Sequence, residues 1–351
     1  MKILDLFDSD LYCNTLVKNP YIIAEAGVNH EGKMNLAYRL IDEAKEGGAD
    51  SIKFQSYKAK TIASKNSPYY WDISKEPTTS QYNLFTKYDK FWKKEFEELK
   101  IHCDKVEIEF MSTPFDIESA NFLNDLMDVY KISSSDITNK PFIEHISSFN
   151  KPIILSTGAS NIDEIQEAIS WVRNNIPVSL LHCILNYPTE DEKANLGMIK
   201  DLQSIFPDKI IGYSDHTLPN DMKILEIVTL LGVSIIEKHF THDKKLEGND
   251  HYHAMDKEDL KKFKINLSYI LSSVGDQKKY SITSEELSRK NARRSLVANK
   301  NISSGKVISS DDITWKRPAS GISPKFIEKV IGKKAAKLIL EDESIQWDMI
   351  S

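Results

Sequence analysis

Ile211-Gly212-Tyr213-Ser214-Asp215-His216-Thr217 is an apolar run that breaks abruptly into polar residues, and Ile236-Glu237-Lys238-His239-Phe240 repeats the pattern one unit later. Each reads as a short strand with chemistry at its carboxyl end. His216 and His239 lie 23 residues apart, about one strand–helix–strand step. Neighbouring parallel strands run roughly 4.8 Å apart, so two imidazoles at adjacent ends can converge on one point. The pair is read as ligands of a divalent metal ion. A lone histidine there would more often be a hydrogen-bonded rim residue, but two at matching ends, each beside a carboxylate, favour a shared ion.

Outward from that stretch the chain alternates. Strand runs are expected at Tyr21–Ala26, Ser51–Gln55, Glu107–Ser112, Val129–Ile132, Pro152–Ser156, Val178–His182, Ile210–Ser214 and Ser234–His239. Helical spacing separates them, most clearly at Asn35–Glu46, Ile162–Asn174 and Met222–Leu231, and Lys257–Ser273 reads as a closing helix. About eight β/α units over roughly 250 residues is the size of a closed (β/α)8 (TIM) barrel. A doubly wound sheet would carry a Gly-rich phosphate loop after its first strand, and Glu25-Ala26-Gly27-Val28-Asn29 is not one. Lys58–Lys90 is long, aromatic and irregular, which fits either a binding lid or an ordinary surface insertion.

In a barrel, reacting groups gather at the carboxyl ends of the strands. The residues there are Glu25, Lys53, Gln55, Ser112, Thr113, Lys131, Ser133, Ser134, Ser135, Ser156, Thr157, His182, Cys183, Asp215, His216, Glu237 and His239. A desolvated ammonium is costly unless it is paired. Either lysine alone would suggest a structural ion pair. Lys53 and Lys131 together, among hydroxyls, read as a cradle for phosphate or carboxylate. Two imidazoles leave most positions of an ion open to water and substrate oxygens, as in a Lewis-acid site. Nitrogen donors supplemented by oxygens suit Mn2+ first, with Mg2+ or Co2+ as alternatives.

The 351 residues suit one large domain and a small one. With 46 basic and 52 acidic residues, the net charge is −6 and no basic stripe stands out, which argues against a nucleic-acid partner. No run approaches a membrane span, and Met1–Pro20 lacks the apolar core of a signal peptide. Cys13, Cys103 and Cys183 are isolated, so neither a disulfide framework nor a thiolate zinc site is expected. A reducing cytoplasm is the expected home.

Several motifs in order resemble one family. Glu25-Ala26-Gly27-Val28-Asn29-His30-Glu31-Gly32, Lys53-Phe54-Gln55, His182-Cys183 followed by Tyr187-Pro188-Thr189, and the two stretches quoted first are similar to the sialic acid (N-acetylneuraminate) synthase family, with its legionaminic, pseudaminic and spore-coat relatives. The resemblance runs from about Tyr21 to the end. It implies a metal-dependent condensation of phosphoenolpyruvate with an N-acylated mannosamine-type aldose, giving a nine-carbon 2-keto-3-deoxy acid and phosphate. It implies that His216 and His239 hold the metal beside the aldehyde, with Glu25 at the reacting centre. Lys53, Thr113, Lys131, Ser134, Ser156 and Ser214 match positions that hold phosphoenolpyruvate. Gln55, Tyr187, Glu237 and Asp250 match positions near metal or sugar. Well-known bacterial members carry an asparagine three residues after the motif histidine; here Leu185 stands there and Asn186 follows, so either Asn186 replaces the amide or the sugar differs. His251 and His253, in the polar run Gly248–Asp256, either assist binding or are loop residues, and the loop reading is preferred.

Gly275–Lys290 is polar and charged, a linker by composition. The expected division is a barrel over 1–275, a linker over 276–290 and a small domain over 291–351. In the last of these, Ile302, Gly305, Ile308, Asp311 and Ile313 share their spacing with Ile339, Asp342, Ile345, Asp348 and Ile350 at an offset of 37, which suggests an internal two-fold. The segment resembles the antifreeze-like (SAF) domain that ends this family. The resemblance implies a domain-swapped homodimer in which this β-rich domain caps the partner barrel and Arg317 reaches the sugar's acyl group. Rival readings are a diacetamido-trideoxyhexose acceptor, an octulosonate- or heptulosonate-phosphate synthase, a metal-dependent amidohydrolase, and a carbohydrate- or ice-binding module on an inert barrel.

Overall fold

The computed structural model describes residues 2–7, 17–248, 250–275 and 278–351. Cys13 and the first two residues of the expected linker lie outside them. The chain divides into two compact units on either side of the Gln277–Lys278 bond.

In the first unit, eight strands form one parallel sheet that curls into a nearly closed barrel. They are β1 (Tyr21–Gly27), β2 (Ser51–Ser56), β3 (Glu109–Pro114), β4 (Tyr130–Ile132), β5 (Ile153–Ser156), β6 (Val178–Cys183), β7 (Ile210–Asp215) and β8 (Ile235–His239). Their order is β3-β2-β1-β8-β7-β6-β5-β4. β3 starts two residues later than the sequence suggested. The preceding helix, Lys93–Val106, ends on Glu107 in a left-handed conformation at φ 60°, which uses up the expected first strand residues.

The two-residue period of a strand sorts side chains into two cores. Tyr21, Ile23, Met111, Ile154, Leu181 and Ile235 fill the barrel interior. Ile22, Ala24, Phe54, Phe110, Leu155, Leu180, Tyr213 and Ile236 face the surrounding helices. A short 3-10 turn, Ile3–Phe7, packs Ile3 and Leu6 into the interior core. It is tied to the amino end of β3 by the Ile3 amide, which donates to Glu109 Oε2 at 2.9 Å. The amino end of the barrel is thus plugged with apolar side chains, each worth about 1.5–3 kcal/mol when fully buried. Gly212 makes this packing possible: a Cβ there would sit 2.4 Å from Leu181 Cδ2 and 2.7 Å from the Ile235 carbonyl.

The expected helices form at Met34–Gly47, Ile162–Ser170, Lys223–Leu230 and Lys257–Val274. Asn161 caps the second by accepting from the Glu164 amide, and Asp256 caps the last. The aromatic segment after β2 is less irregular than its sequence suggested, because it contains helices Ala59–Ile62 and Gln81–Tyr88. No helix among the described residues is long and apolar enough to cross a membrane.

In the second unit, β9 (Ser295–Ala298) and β10 (Ile313–Lys316) pair antiparallel. The expected linker is partly helical, with a 3-10 turn at Thr283–Glu285 leading into helix Glu286–Ala292. The pseudo-repeat is structural. Ile302 and Ile339 exchange backbone hydrogen bonds of 2.8 and 2.9 Å, Ile308 and Ile345 are both buried, and Ser310–Asp312 and Trp347–Met349 form equivalent 3-10 turns. Gly305 and its counterpart Asp342 share a left-handed backbone, at φ 81° and 70°.

Candidate active site

The carboxyl ends of the strands bring four buried charges together. β1 and β2 are in register at Glu25 and Lys53, and β1 and β8 at Glu25 and His239. Lys53 Nζ contacts Glu25 Oε2, lies 3.6 Å from Glu237 Oε2 and donates to Thr113 Oγ1 at 3.0 Å. Lys131 Nζ lies 3.8 Å from Glu237 Oε1. Ser214 Oγ donates to Glu237 Oε1, and Gln55 Nε2 to Glu25 Oε1, both at 3.0 Å. Past Glu25 the pairing of β1 with β2 slips by one residue, and Gly27 takes a left-handed φ of 50° there. Such an irregularity re-aims side chains at a rim.

The two carboxyls part company. Burial pushes Glu25 up to about 7, outweighing the Lys53 ammonium beside it. Burial acts on Glu237 in the same sense, but Lys131 and Lys53 overcome it and hold that carboxyl down at about 2. Among the lysines, burial pushes Lys131 down, whereas Glu237 and Glu25 more than offset burial at Lys53 and raise it. Glu25 is thus poised to give or take a proton near neutral pH, beside two lysines that suit an incoming anion. Ser156 Oγ is buried without a hydrogen-bond partner. Ser134 Oγ makes only a long 3.8 Å contact with Cys183 Sγ. Both hydroxyls have donor capacity to spare.

The imidazoles stand beside this group. His216 and His239 have ring centroids 5.5 Å apart, with the Tyr187 ring 4.1 Å from the first and 5.9 Å from the second. His216 Nδ1 donates to the Ile184 carbonyl at 2.7 Å, which leaves Nε2 as the lone pair of the neutral ring. Burial disfavours its charge, but the nearby Cys183 sulfur and that carbonyl favour it and raise its pKa. Burial keeps His239 neutral by pushing it far down. His239 Nδ1 is buried with no hydrogen-bond partner and lies 3.8 Å from Asp250 Oδ2. Buried neutral nitrogens with a carboxylate alongside are the donor set of a first-row divalent ion, so the residues fit a metal.

A cavity of about 530 Å3 opens beside these groups and reaches them at His239; Lys53, Lys131, Glu25, Glu237 and His216 lie behind its lining. Gln55, Tyr187, His239 and Asp250 lie in its wall, with Ser133, Ser135, Asp136 and Asn139 after β4. The segment after β2 supplies the other side through Tyr57, Thr61, Tyr70, Trp71, Leu84 and Tyr88.

Not every expected rim residue takes part. Ser112 bonds Ser56 at 2.7 Å. His182 Nε2 bonds the Ala194 carbonyl at 2.8 Å and its ring stacks on Tyr213. Asp215 pairs with Lys238. Tyr213 belongs to the helix-facing core, and these residues lie on that side of the sheet. Asn186 is exposed and outside the cavity lining, whereas Leu185 is in it. Arg317 is exposed on the second unit. His253, read from the sequence first as a loop residue, is buried with its ring 4.9 Å from that of His239. Its signal was the polar, histidine-rich run after β8.

Comparison with known proteins places this geometry in context. The NeuB family model matches residues 40–279, and the SAF domain model matches 293–351. The N,N'-diacetyllegionaminic acid synthase of Campylobacter jejuni is 40% identical over 94% of this chain and 100% of its own length. Its namesake from Legionella pneumophila is 34% identical over 94% of each chain. The crystal structure of an N-acetylneuraminic acid synthetase from Leptospira borgpetersenii gives a TM-score of 0.68 at 37% identity, covering 77% of this chain and 90% of that one.

Proposed function

The chain belongs to the NeuB family, and on that premise we propose that it is a nonulosonic acid synthase, condensing phosphoenolpyruvate with an N-acylated aldohexose. The observation that carries this reading is the shared mouth: a lysine-and-hydroxyl nest and a buried imidazole cluster sit on adjacent strand ends, joined by Glu25. Lys53, Lys131, Thr113, Ser134, Ser156 and Ser214 hold the phosphate and carboxylate of the enol substrate. A divalent ion held by His216 and His239, Mn2+ first among the candidates, supplies polarisation of the aldehyde oxygen.

The enol C3 forms a bond to the aldehyde carbon, leaving C2 electron-poor. Water adds at C2, and the C2–O bond to phosphate then breaks. Glu25, poised at about 7, takes the proton from that water or returns it to the new hydroxyl. Glu237 stays ionised and balances the two lysines while the anion enters and leaves.

Two acceptors fit. An N-acetylmannosamine-type sugar carries hydroxyls that need polar partners. A diacetamido-trideoxyhexose, which has a methyl group and a second amide instead, is favoured by Leu185 in the lining and by Tyr57, Trp71, Leu84 and Phe85 opposite. The similarity to two legionaminic acid synthases supports the same choice. Phosphate release with phosphoenolpyruvate tests the reading, using N-acetylmannosamine, a diacetamido-trideoxyhexose and arabinose 5-phosphate, each with and without chelator. Turnover with an N-acyl sugar that chelator abolishes is expected. Release only with the phosphorylated pentose, or turnover without phosphoenolpyruvate, would sink it.

We also infer a homodimer in which exposed Arg317 serves the barrel of a second copy. Arg317→Ala and His216→Ala proteins should each lose activity and recover part of it when mixed under subunit exchange. No recovery despite verified exchange would exclude service in trans.

A further inference from the structure

The segment after β8 folds back on the strand that precedes it. Phe240 and Met255 form a parallel bridge. The Met255 amide donates to the His239 carbonyl at 2.8 Å and the Thr241 amide to the Met255 carbonyl at 2.9 Å. Asn29 Nδ2 fixes the same segment by donating to the Phe240 and Asp250 carbonyls, at 3.0 and 3.2 Å. This pairing delivers Asp250 and His253 to the side of His239.

His253 is then unusual. Its exposure is 0%, and among the described residues neither ring nitrogen has a hydrogen-bond partner. An imidazole buried that way keeps the desolvation penalty of each unmatched polar group. Its contacts are at another spacing. His253 Nε2 lies 3.7 Å from Asp250 Oδ1, and His239 Nδ1 lies 3.8 Å from Asp250 Oδ2. Both are too long for hydrogen bonds. Two donors bound to one ion at about 2.1 Å are separated by roughly 3.0 Å when adjacent and 4.2 Å when opposite, so both distances fall in that window. One donor atom each from His239, Asp250 and His253 lie within 4.8 Å of one another. The His253 ring stands 4.9 Å from that of His239, and the His216 ring stands 5.5 Å from it on the other side, next to this set without belonging to it.

We propose that His253 is a third imidazole ligand of a single divalent metal centre, joining His216 and His239, with Asp250 as its carboxylate. The ligand class is a first-row dication, and the added nitrogen raises both affinity and selectivity over Mg2+, which favours oxygen donors. The inference rests on the synthase reading only for what the ion does in turnover.

The test is a Mn2+ titration of the intact protein followed by electron paramagnetic resonance, with nitrogen couplings to the bound ion counted by electron–nuclear double resonance. Wild type should bind one ion with three imidazole nitrogens. His253→Ala and His253→Gln should each bind about 10–100-fold more weakly, the range for loss of a metal-site group, with one coupling lost. Melting curves establish that each variant is folded, and should one fail to fold the other carries the test. An unchanged dissociation constant or nitrogen count in a folded variant overturns the proposal, as does a second ion per chain. Phosphoenolpyruvate turnover by wild type alongside an unchanged titration refutes this inference alone. Three-nitrogen binding without turnover refutes the synthase reading alone.

Discussion

Two buried lysine–carboxylate groups lie on opposite faces of the same barrel wall. Outside, Lys238 Nζ meets Asp215 Oδ2 at 2.6 Å and the Thr217 carbonyl at 2.7 Å. Asp215 also accepts from the Tyr213 hydroxyl and the Thr217 amide, both at 3.0 Å, and from the Thr217 hydroxyl at 3.1 Å. The Asp215 carboxylate is saturated, with two donors on each oxygen. Inside, Lys53 and Lys131 share Glu237, and Lys53 also holds Glu25, yet among the described residues Ser156 Oγ and Glu237 Oε2 lack hydrogen bonds and Glu25 is pushed up to about 7. A saturated cluster holds a fold together, whereas one with spare donors and a displaced pKa is ready for a ligand.

Glu25→Gln presses hardest on this contrast. It keeps the side-chain shape and removes the transferable proton, so turnover should fall about 10^2–10^4-fold with the melting temperature unchanged or raised. Comparable loss of stability and activity would erase the distinction. Lys238→Met is the counterpart. It strands the buried Asp215 carboxylate and should cost about 3–5 kcal/mol in denaturant unfolding, while the folded fraction turns over at near wild-type rate.

The next effect is in pH. Glu25 sits above its ordinary value of 4.5, so between 4.5 and about 7 the folded chain holds a proton that the unfolded chain has lost. Its contribution to stability therefore declines as pH rises through that window, by on the order of 2 kcal/mol. Glu237 works in the opposite sense: its contribution is complete above 4.5 and is lost as pH falls toward 2. Melts of wild type and Glu25→Gln from pH 5 to 7.5 should converge at the acid end and diverge as pH rises, with the variant gaining. The smallest effect belongs to the rim. Leu185→Asn should shift kcat/KM toward N-acetylmannosamine over a diacetamido-trideoxyhexose by about tenfold, and an unchanged ratio would show that this wall does not choose the sugar.

The barrel was legible because eight apolar runs alternate with helical spacing, and the active strands because they end in polar residues. The face each polar residue occupies was harder to read. Ser112, His182 and Asp215 stand one position from Thr113, Cys183 and Ser214, and a one-residue step in a strand moves a side chain to the other side of the sheet. The long segment after β2 left lid and insertion open, because only the folded chain shows that its aromatic residues line the cavity.

Local sequence determined the number and order of the strands, the two histidines at adjacent strand ends and the internal repeat of the second unit, because periodicity and spacing are properties of the chain itself. Tertiary structure alone decided that Lys53 and Lys131 share Glu237, that Asn186 is left outside the cavity lining while Leu185 is in it, and that His253 stands beside His239. Those relations depend on burial and on the pairing of Phe240 with Met255, and neither is fixed until distant segments have closed on one another.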